Sequence, residues 1–223
     1  MLIAIETWQP ASTPPPLYAG HVHLWRATLL PTDALRQLLS PSEWLRAERF
    51  HFDIDRERFI ATRGILRCIL GGYLGIDPRE VLFEKTGAHG KPGIAGGGTL
   101  RFNLSHSGEI MLVAVTHARE LGVDIEKMKD NVPFETLADH YFDPEDAWDL
   151  RLLPASQRAW KFYDIWTTTE AKLKASGVGL GNGLVVTEPD RWSLLKLTPA
   201  AGYAAAVAVE GGDFQLQCCS WTA

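Results

Sequence analysis

The chain reads as an α/β (α+β) fold of two similar lobes, each a long helix packed on a small, mostly antiparallel sheet, the two related by a pseudo-twofold. Three observations support that reading. Apolar residues Phe59, Ile60, Leu66, Ile69, Leu70 and Tyr73 recur at helical spacing from Asp55 to about Leu74, and a second amphipathic run extends from about Ser156 to Ser176. Short strand-like stretches follow each run. The second helix begins about a hundred residues after the first, and only the order of elements repeats, not the residues.

Each element has a local cause. Residues 1–20 pass through ASTPPPLYAG, a proline-rich arm with little helix or strand potential. His21 to Leu30 reads as a strand. In Ser40-Pro41-Ser42-Glu43 a helix starts, with Ser40 as N-cap, Pro41 at N1 and Glu43 closing a capping box. The first long helix stops at Gly75. Val81–Glu84, Leu100–Ser105 and Glu109–Thr116 read as strands, with Ser107-Gly108 as a tight turn between the last two. In LGVDIE, Leu121 to Glu126, apolar Val123 and Ile125 alternate with Asp124 and Glu126, the period of a half-buried strand. Asp143-Pro144 opens a helix, and Gly177 ends the one from Ser156. Trp192–Leu197, Tyr203–Val209 and Phe214–Trp221 read as three closing strands. The expected lobes are residues 1–118 and 119–223, with LGVDIE where they meet, a common place for a ligand cleft.

Bulk composition excludes several classes. The 223 residues are 46% hydrophobic and 22% charged, an ordinary soluble globular balance. A net charge of −5 gives no reason to expect nucleic acid as a partner. Cys68, Cys218 and Cys219 make neither a disulfide framework nor a metal clip, which suits a reducing cytoplasm. The opening MLIAIETWQP lacks a basic segment and a sufficient apolar run for a signal peptide. No stretch approaches the ~18 apolar residues of a membrane span. A soluble cytoplasmic protein is expected.

The chemistry gathers around LGVDIE. On one strand face, Asp124 and Glu126 have Cα atoms about 6.5–7 Å apart. Such a pair is either a solvated edge or a site for a hard cation held by oxygens. In YDIWTTTEAKLKASGVGL, Phe162, Ile165, Trp166 and Leu173 form a buried stripe with Glu170 and Lys174 on its flank. That pair is either a surface i,i+4 contact of about 0.3–0.5 kcal/mol or a third carboxylate beside a phosphate-binding lysine. The GVGLGNG run, Gly177 to Gly183, reads as a helix stop and flexible loop rather than a phosphate cradle.

LGVDIEK, followed some forty residues later by W-x-x-x-E-A-x-x-K-x-x-G-x-G, resembles the 4′-phosphopantetheinyl transferases of the Sfp type. Upstream, GKPG (Gly90–Gly93) and FNLSHSG (Phe102–Gly108) stand in the family's order, and the likeness covers roughly Arg46 to Leu180. It implies an enzyme that moves the phosphopantetheine arm of coenzyme A onto a serine of an acyl or peptidyl carrier protein, releasing adenosine 3′,5′-bisphosphate. By position, Asp124, Glu126 and Glu170 match Mg²⁺ ligands, and Lys174 matches the lysine on the pyrophosphate. Asp124, Glu170 and Lys174 are thereby the candidate catalytic set. Lys91, Pro92, Ser105 and His106 match residues lining the nucleotide and its 3′-phosphate, and Arg46 a basic residue on that phosphate. Arg46, Arg49, Arg56, Arg58, Arg63 and Arg67 make a locally basic segment that could supply such cations.

The chain departs from the family at Thr169, where lysine usually precedes the glutamate. That keeps two other readings open: a coenzyme A or carrier-protein binding module with impaired catalysis, and a Mg²⁺-dependent phosphohydrolase. A monomer is expected, because two lobes in one chain supply what a symmetric pair of subunits otherwise would.

Overall fold

Alternation along a few strands determines how the layers stack. The computed structural model describes residues 7–86, 90–178 and 188–222. Its elements are β1 (Gln9–Ala11), β2 (His21–Thr28), α1 (Asp33–Arg36), α2 (Pro41–Ala47), α3 (Asp53–Leu74), β3 (Phe83–Thr86), β4 (Lys91–Ile94), β5 (Leu100–Ser107) and β6 (Ile110–His117). There follow β7 (Leu121–Lys127), α4 (Phe134–Tyr141), α5 (Pro144–Leu152), α6 (Ala155–Ser176), β8 (Trp192–Leu197), β9 (Tyr203–Glu210) and β10 (Gln215–Trp221).

One sheet runs β1-β10-β2-β6-β5, a second β7-β9-β8, and β3-β4 form a separate hairpin. From β2 and β6, Trp25, Ala27, Met111, Val113 and Val115 pack with Ile65, Leu66 and Ile69 of α3. The alternate residues Val22, Leu24, Leu112 and Ala114 meet Val123 and Ile125 of β7 and Ala205, Val207 and Val209 of β9. On the far face of β9, Ala206 and Ala208 pack against Ala171 and Ala175 of α6. The order of layers is therefore helix, sheet, sheet, helix, the two-lobed α+β arrangement expected.

Several local expectations hold. Ser40 caps α2 and Glu43 returns the second bond of the box. Gly75 and Gly177 end α3 and α6 with φ of 67° and 71°. The rest of the glycine run, from Gly179 to Gly183, lies outside the described residues.

Other expectations need correction. The proline-rich arm contains β1, which pairs with β10 in parallel from Gln9↔Cys219 to Ala11↔Trp221. The hairpin turn falls one residue later, since β5 continues through Ser107 and Gly108 supplies the positive φ of 57°. Lys91–Ile94, assigned no element from the sequence, form a strand, β4, paired with β3. The last strand joins the first sheet, not the second: β10 lies between β1 and β2, parallel to both. A boundary at 118/119 thus leaves one strand of the first sheet in the second half of the sequence.

Most of the basic segment serves structure. Buried Glu43 accepts from Arg63 Nε at 2.6 Å and from Arg67 Nε at 2.9 Å. Arg67 also donates to the carbonyls of Pro78 and Val81, both at 3.0 Å. Arg56 pairs with Asp53 at 2.9 Å.

One core group makes stability pH-dependent. His23, fully buried on β2, has Nδ1 2.7 Å from the Tyr73 hydroxyl, which also accepts from Trp25 Nε1 at 2.8 Å. His23 Nε2 has no partner among the described residues, and burial first, then His21 and His117, lower its pKa to about 4. An unfolded chain binds that proton near pH ~6.5. Stability from this group is therefore complete above about pH 6.5 and falls as the pH drops towards about 4, by up to about 3 kcal/mol. Urea unfolding should show this loss between about pH 7 and about pH 4.5, and His23→Leu should flatten it; an unchanged slope in the variant would reject the assignment.

Candidate active site

The two sheets meet at their edges. β5 ends one sheet and β7 the other, and side chains of β5 join them at a period of two. Asn103 Oδ1 accepts the Val123 N–H at 2.9 Å. Ser105 Oγ donates to Asp124 Oδ1 at 2.9 Å. Ser107 Oγ donates to Glu126 Oε2 at 2.8 Å and accepts from the Lys127 N–H at 3.0 Å. The alternation that turns Asn103, Ser105 and Ser107 towards β7 puts His106 on the opposite face with Phe102 and Leu104, and His106 itself is exposed.

β7 is not half-buried as its pattern suggests. Leu121, Val123 and Ile125 fill the core between the sheets, and the other face is covered by α6, so Asp124 is only 3% exposed. Close seating of the helix depends on Gly122: a Cβ there would stand 2.0 Å from Ala171 O and 2.4 Å from Ala175 N. α6 then presents Glu170, itself buried, and Lys174 to the same face. Lys174 Nζ reaches across to Asp124 Oδ1 at 2.6 Å and Ser105 Oγ at 3.0 Å. Its ion pair is with the strand acid, not along the helix as a surface i,i+4 contact would be.

Three acids and one cation at a buried joint leave the acids short of compensation. Burial raises the Asp124 pKa, against Lys174 and Ser105, which lower it. Burial is also the main cause for Glu126, which Asp124 raises further. Glu170 is pushed up to about 7 by burial and then by Asp124 and Glu126. Asp124 Oδ2 is buried without a partner among the described residues. Among the described residues no group of three or more His, Cys, Asp or Glu side chains is gathered to hold a metal ion; the Lys174 ammonium stands on Asp124 instead. The donor set still suits a hard cation: all oxygens, one of them buried and unpartnered, on acids that raise one another's pKa.

The remaining candidates distribute as follows. Gly90, Lys91, Pro92, Leu104, Lys174 and Gly177 line one cleft of about 270 Å³. The Lys91 ammonium donates to Glu120 Oε2 at 2.8 Å and to the carbonyls of Leu121 and Ala175. His106 keeps solvent at its edge, yet its pKa is lowered by the protein packed around it, then by Lys174 and Arg58. His106, Lys174 and Arg58 thus share one electrostatic neighbourhood. Arg46 stands apart, exposed at the end of α2 with its guanidinium 5.1 Å from the centre of the Phe59 ring. Ser107 and Glu120 were not singled out by sequence reasoning; for Ser107 the signal was the alternation in FNLSHSG, for Glu120 there was none.

Comparison with known proteins gives the family. The sequence pattern of the 4′-phosphopantetheinyl transferase superfamily matches residues 120–220, and that of the N-terminal region of 4′-phosphopantetheinyl transferases matches residues 23–118. The 4′-phosphopantetheinyl transferase HetI of Nostoc sp. is 42% identical over 94% of this chain and 96% of its own length. This chain belongs to the 4′-phosphopantetheinyl transferase superfamily. More distant relatives include the 4′-phosphopantetheinyl transferases psf-1 of Bacillus pumilus, 32% identical over 68% of this chain and 64% of its own, and Sfp of Bacillus subtilis, 28% over 64% and 62%.

In this transferase Thr169 completes its own bonding. Its hydroxyl donates to Ile165 O, one turn back, at 2.9 Å. The helix gains no charge there, but the acids and Lys174 are left in place. Thr169→Lys should therefore lower the KM for coenzyme A or leave it unchanged, measured by steady-state kinetics, and a raised KM would count against a phosphate-facing position.

Proposed function

We propose that this transferase moves the 4′-phosphopantetheine arm of coenzyme A onto a serine of an acyl or peptidyl carrier protein with the help of Mg²⁺, releasing adenosine 3′,5′-bisphosphate. The observation that supports it is the buried joint where Asp124 and Glu126 of β7 converge with Glu170 and Lys174 of α6. In this reading the chain works as a monomer in the cytoplasm. Residues 1–118 provide the nucleotide side, through Pro92, Ser105, His106 and Arg46, with Lys91 bordering the same cleft as Pro92. Residues 119–223 provide the metal and pyrophosphate side.

Asp124, Glu126 and Glu170 would hold the Mg²⁺, which when bound neutralises and orients pyrophosphate oxygens. The Lys174 side chain, 30% exposed beside fully sheltered Asp124, is open enough to meet a phosphate oxygen. It would stabilise the charge that grows on the leaving phosphate. The carrier serine oxygen bonds to the phosphorus of the pantetheine-side phosphate. The bond from that phosphorus to the bridging oxygen breaks, and the adenosine bisphosphate leaves with the electron pair. A carboxylate of the joint would take the serine proton.

Mass spectrometry of a carrier protein incubated with the enzyme, coenzyme A and Mg²⁺ tests the reading. A covalent phosphopantetheine arm that forms with Mg²⁺ and not with chelator is the expected result. An unmodified carrier would mean a binding module, and coenzyme A breakdown without transfer a phosphohydrolase. Lys174→Ala should lower kcat/KM by about 10²-fold, roughly 3 kcal/mol, with the fold intact. Unchanged kinetics would return Lys174 to a structural pair with Asp124.

A further inference from the structure

A lysine ammonium has three protons to donate and accepts nothing. At Lys91 all three directions are taken: Glu120 Oε2 at 2.8 Å, Leu121 O at 3.0 Å and Ala175 O at 3.1 Å, with the side chain 13% exposed. Lys91 opens β4, whereas its acceptors lie at the start of β7 and in the last turn of α6. Ala175 O is one of the terminal carbonyls that a helix leaves without an internal partner, and a cation there also meets the negative end of the helix dipole. Ser176 Oγ closes the neighbouring carbonyl, Leu173 O, at 3.0 Å. Between those two closures sits Lys174, whose ammonium is on Asp124. The β7 backbone touches the same turn, since the space over Gly122 is bounded by Ala171, Lys174 and Ala175.

We propose that Lys91 is a positioning residue, whose ammonium ties the last turn of α6 to the start of β7 and so holds Lys174 against Asp124. The catalytic consequence rests on the transfer reaction proposed above. A direct contact of the Lys91 ammonium with a phosphate would withdraw a donor from Glu120, Leu121 O or Ala175 O, and a sheltered carbonyl left without one is costly.

Lys91→Met keeps the stem and removes the ammonium. In the full-length variant, kcat should fall about tenfold while the KM for coenzyme A stays within about twofold. Calorimetric affinity for adenosine 3′,5′-bisphosphate should also stay within about twofold, and amide exchange at Lys174–Ser176 should quicken by about tenfold. A tenfold or larger loss of nucleotide affinity with kcat preserved would overturn the proposal in favour of a phosphate contact. So would kinetics, affinity and exchange that all match wild type. If Lys91→Met does not fold, Glu120→Ala removes one acceptor and should shift kcat and exchange the same way by about threefold; no shift in either would also reject the tie. Should wild type transfer no arm at all, the transfer reading fails by itself, and the exchange and nucleotide affinity still decide the role of Lys91.

Discussion

Asp124→Asn should lower kcat/KM for arm transfer by about 10³-fold or more, roughly 4 kcal/mol. The substitution is nearly isosteric and leaves an acceptor for Ser105 and Lys174, which bond to Oδ1 at 2.9 and 2.6 Å. What it removes is the charge and the lone pairs of Oδ2, the buried oxygen with no partner among the described residues. An amide nitrogen in that place brings protons with nothing to receive them, so a stability cost of about 1–3 kcal/mol accompanies the change. Steady-state kinetics separate the two effects when run well below the variant's melting temperature. Chelator should abolish wild-type activity and Mg²⁺ restore it, whereas Mg²⁺ should not rescue the variant. Activity within tenfold of wild type, or insensitive to chelator, would remove Asp124 from the chemistry.

Gly122→Ala should cost about 3 kcal/mol or more of stability, although it adds a single methyl group. The new Cβ would lie 2.0 Å from Ala171 O and 2.4 Å from Ala175 N. Both are backbone atoms, so no side chain can rotate out of the way. Either β7 or α6 must move, and overpacking that shifts an element usually costs ~1–3 kcal/mol or more. The shift would also separate Lys174 from Asp124, so activity should fall further than the loss of folded protein explains. Urea unfolding with the slope held as a control checks it. A loss below about 1 kcal/mol would show that the helix is not seated on this glycine.

How far these features could be read from sequence depends on the range of the forces involved. The Ser40 capping box and the helix stops at Gly75 and Gly177 are set within four residues, and they were legible. The alternation in LGVDIE correctly placed Asp124 and Glu126 on one face. It could not tell what covers that face, because period two is the same whether water or α6 lies opposite. β4 was hidden by Pro92 and two glycines, which mark loops more often than strands. The sheet that β10 joins was not legible either, since alternation identifies a strand and not its neighbour. Lys91 shows the same limit within the site. The motif marked the residue, but its three acceptors lie 29, 30 and 84 positions away.

The placement of β10 has a consequence for how the protein comes into being on the ribosome. His21 of β2 pairs with Gln215, so the first sheet closes a loop that spans nearly the whole chain. Until that stretch has been synthesised, β2 presents a bare edge of unpaired amides and carbonyls, the kind of edge on which other chains can polymerise. The first half of the polypeptide therefore has no finished structure to rest in while it waits. Pairing over such sequence distance is slow, and the edge of β2 stays open until β10 enters between β1 and β2.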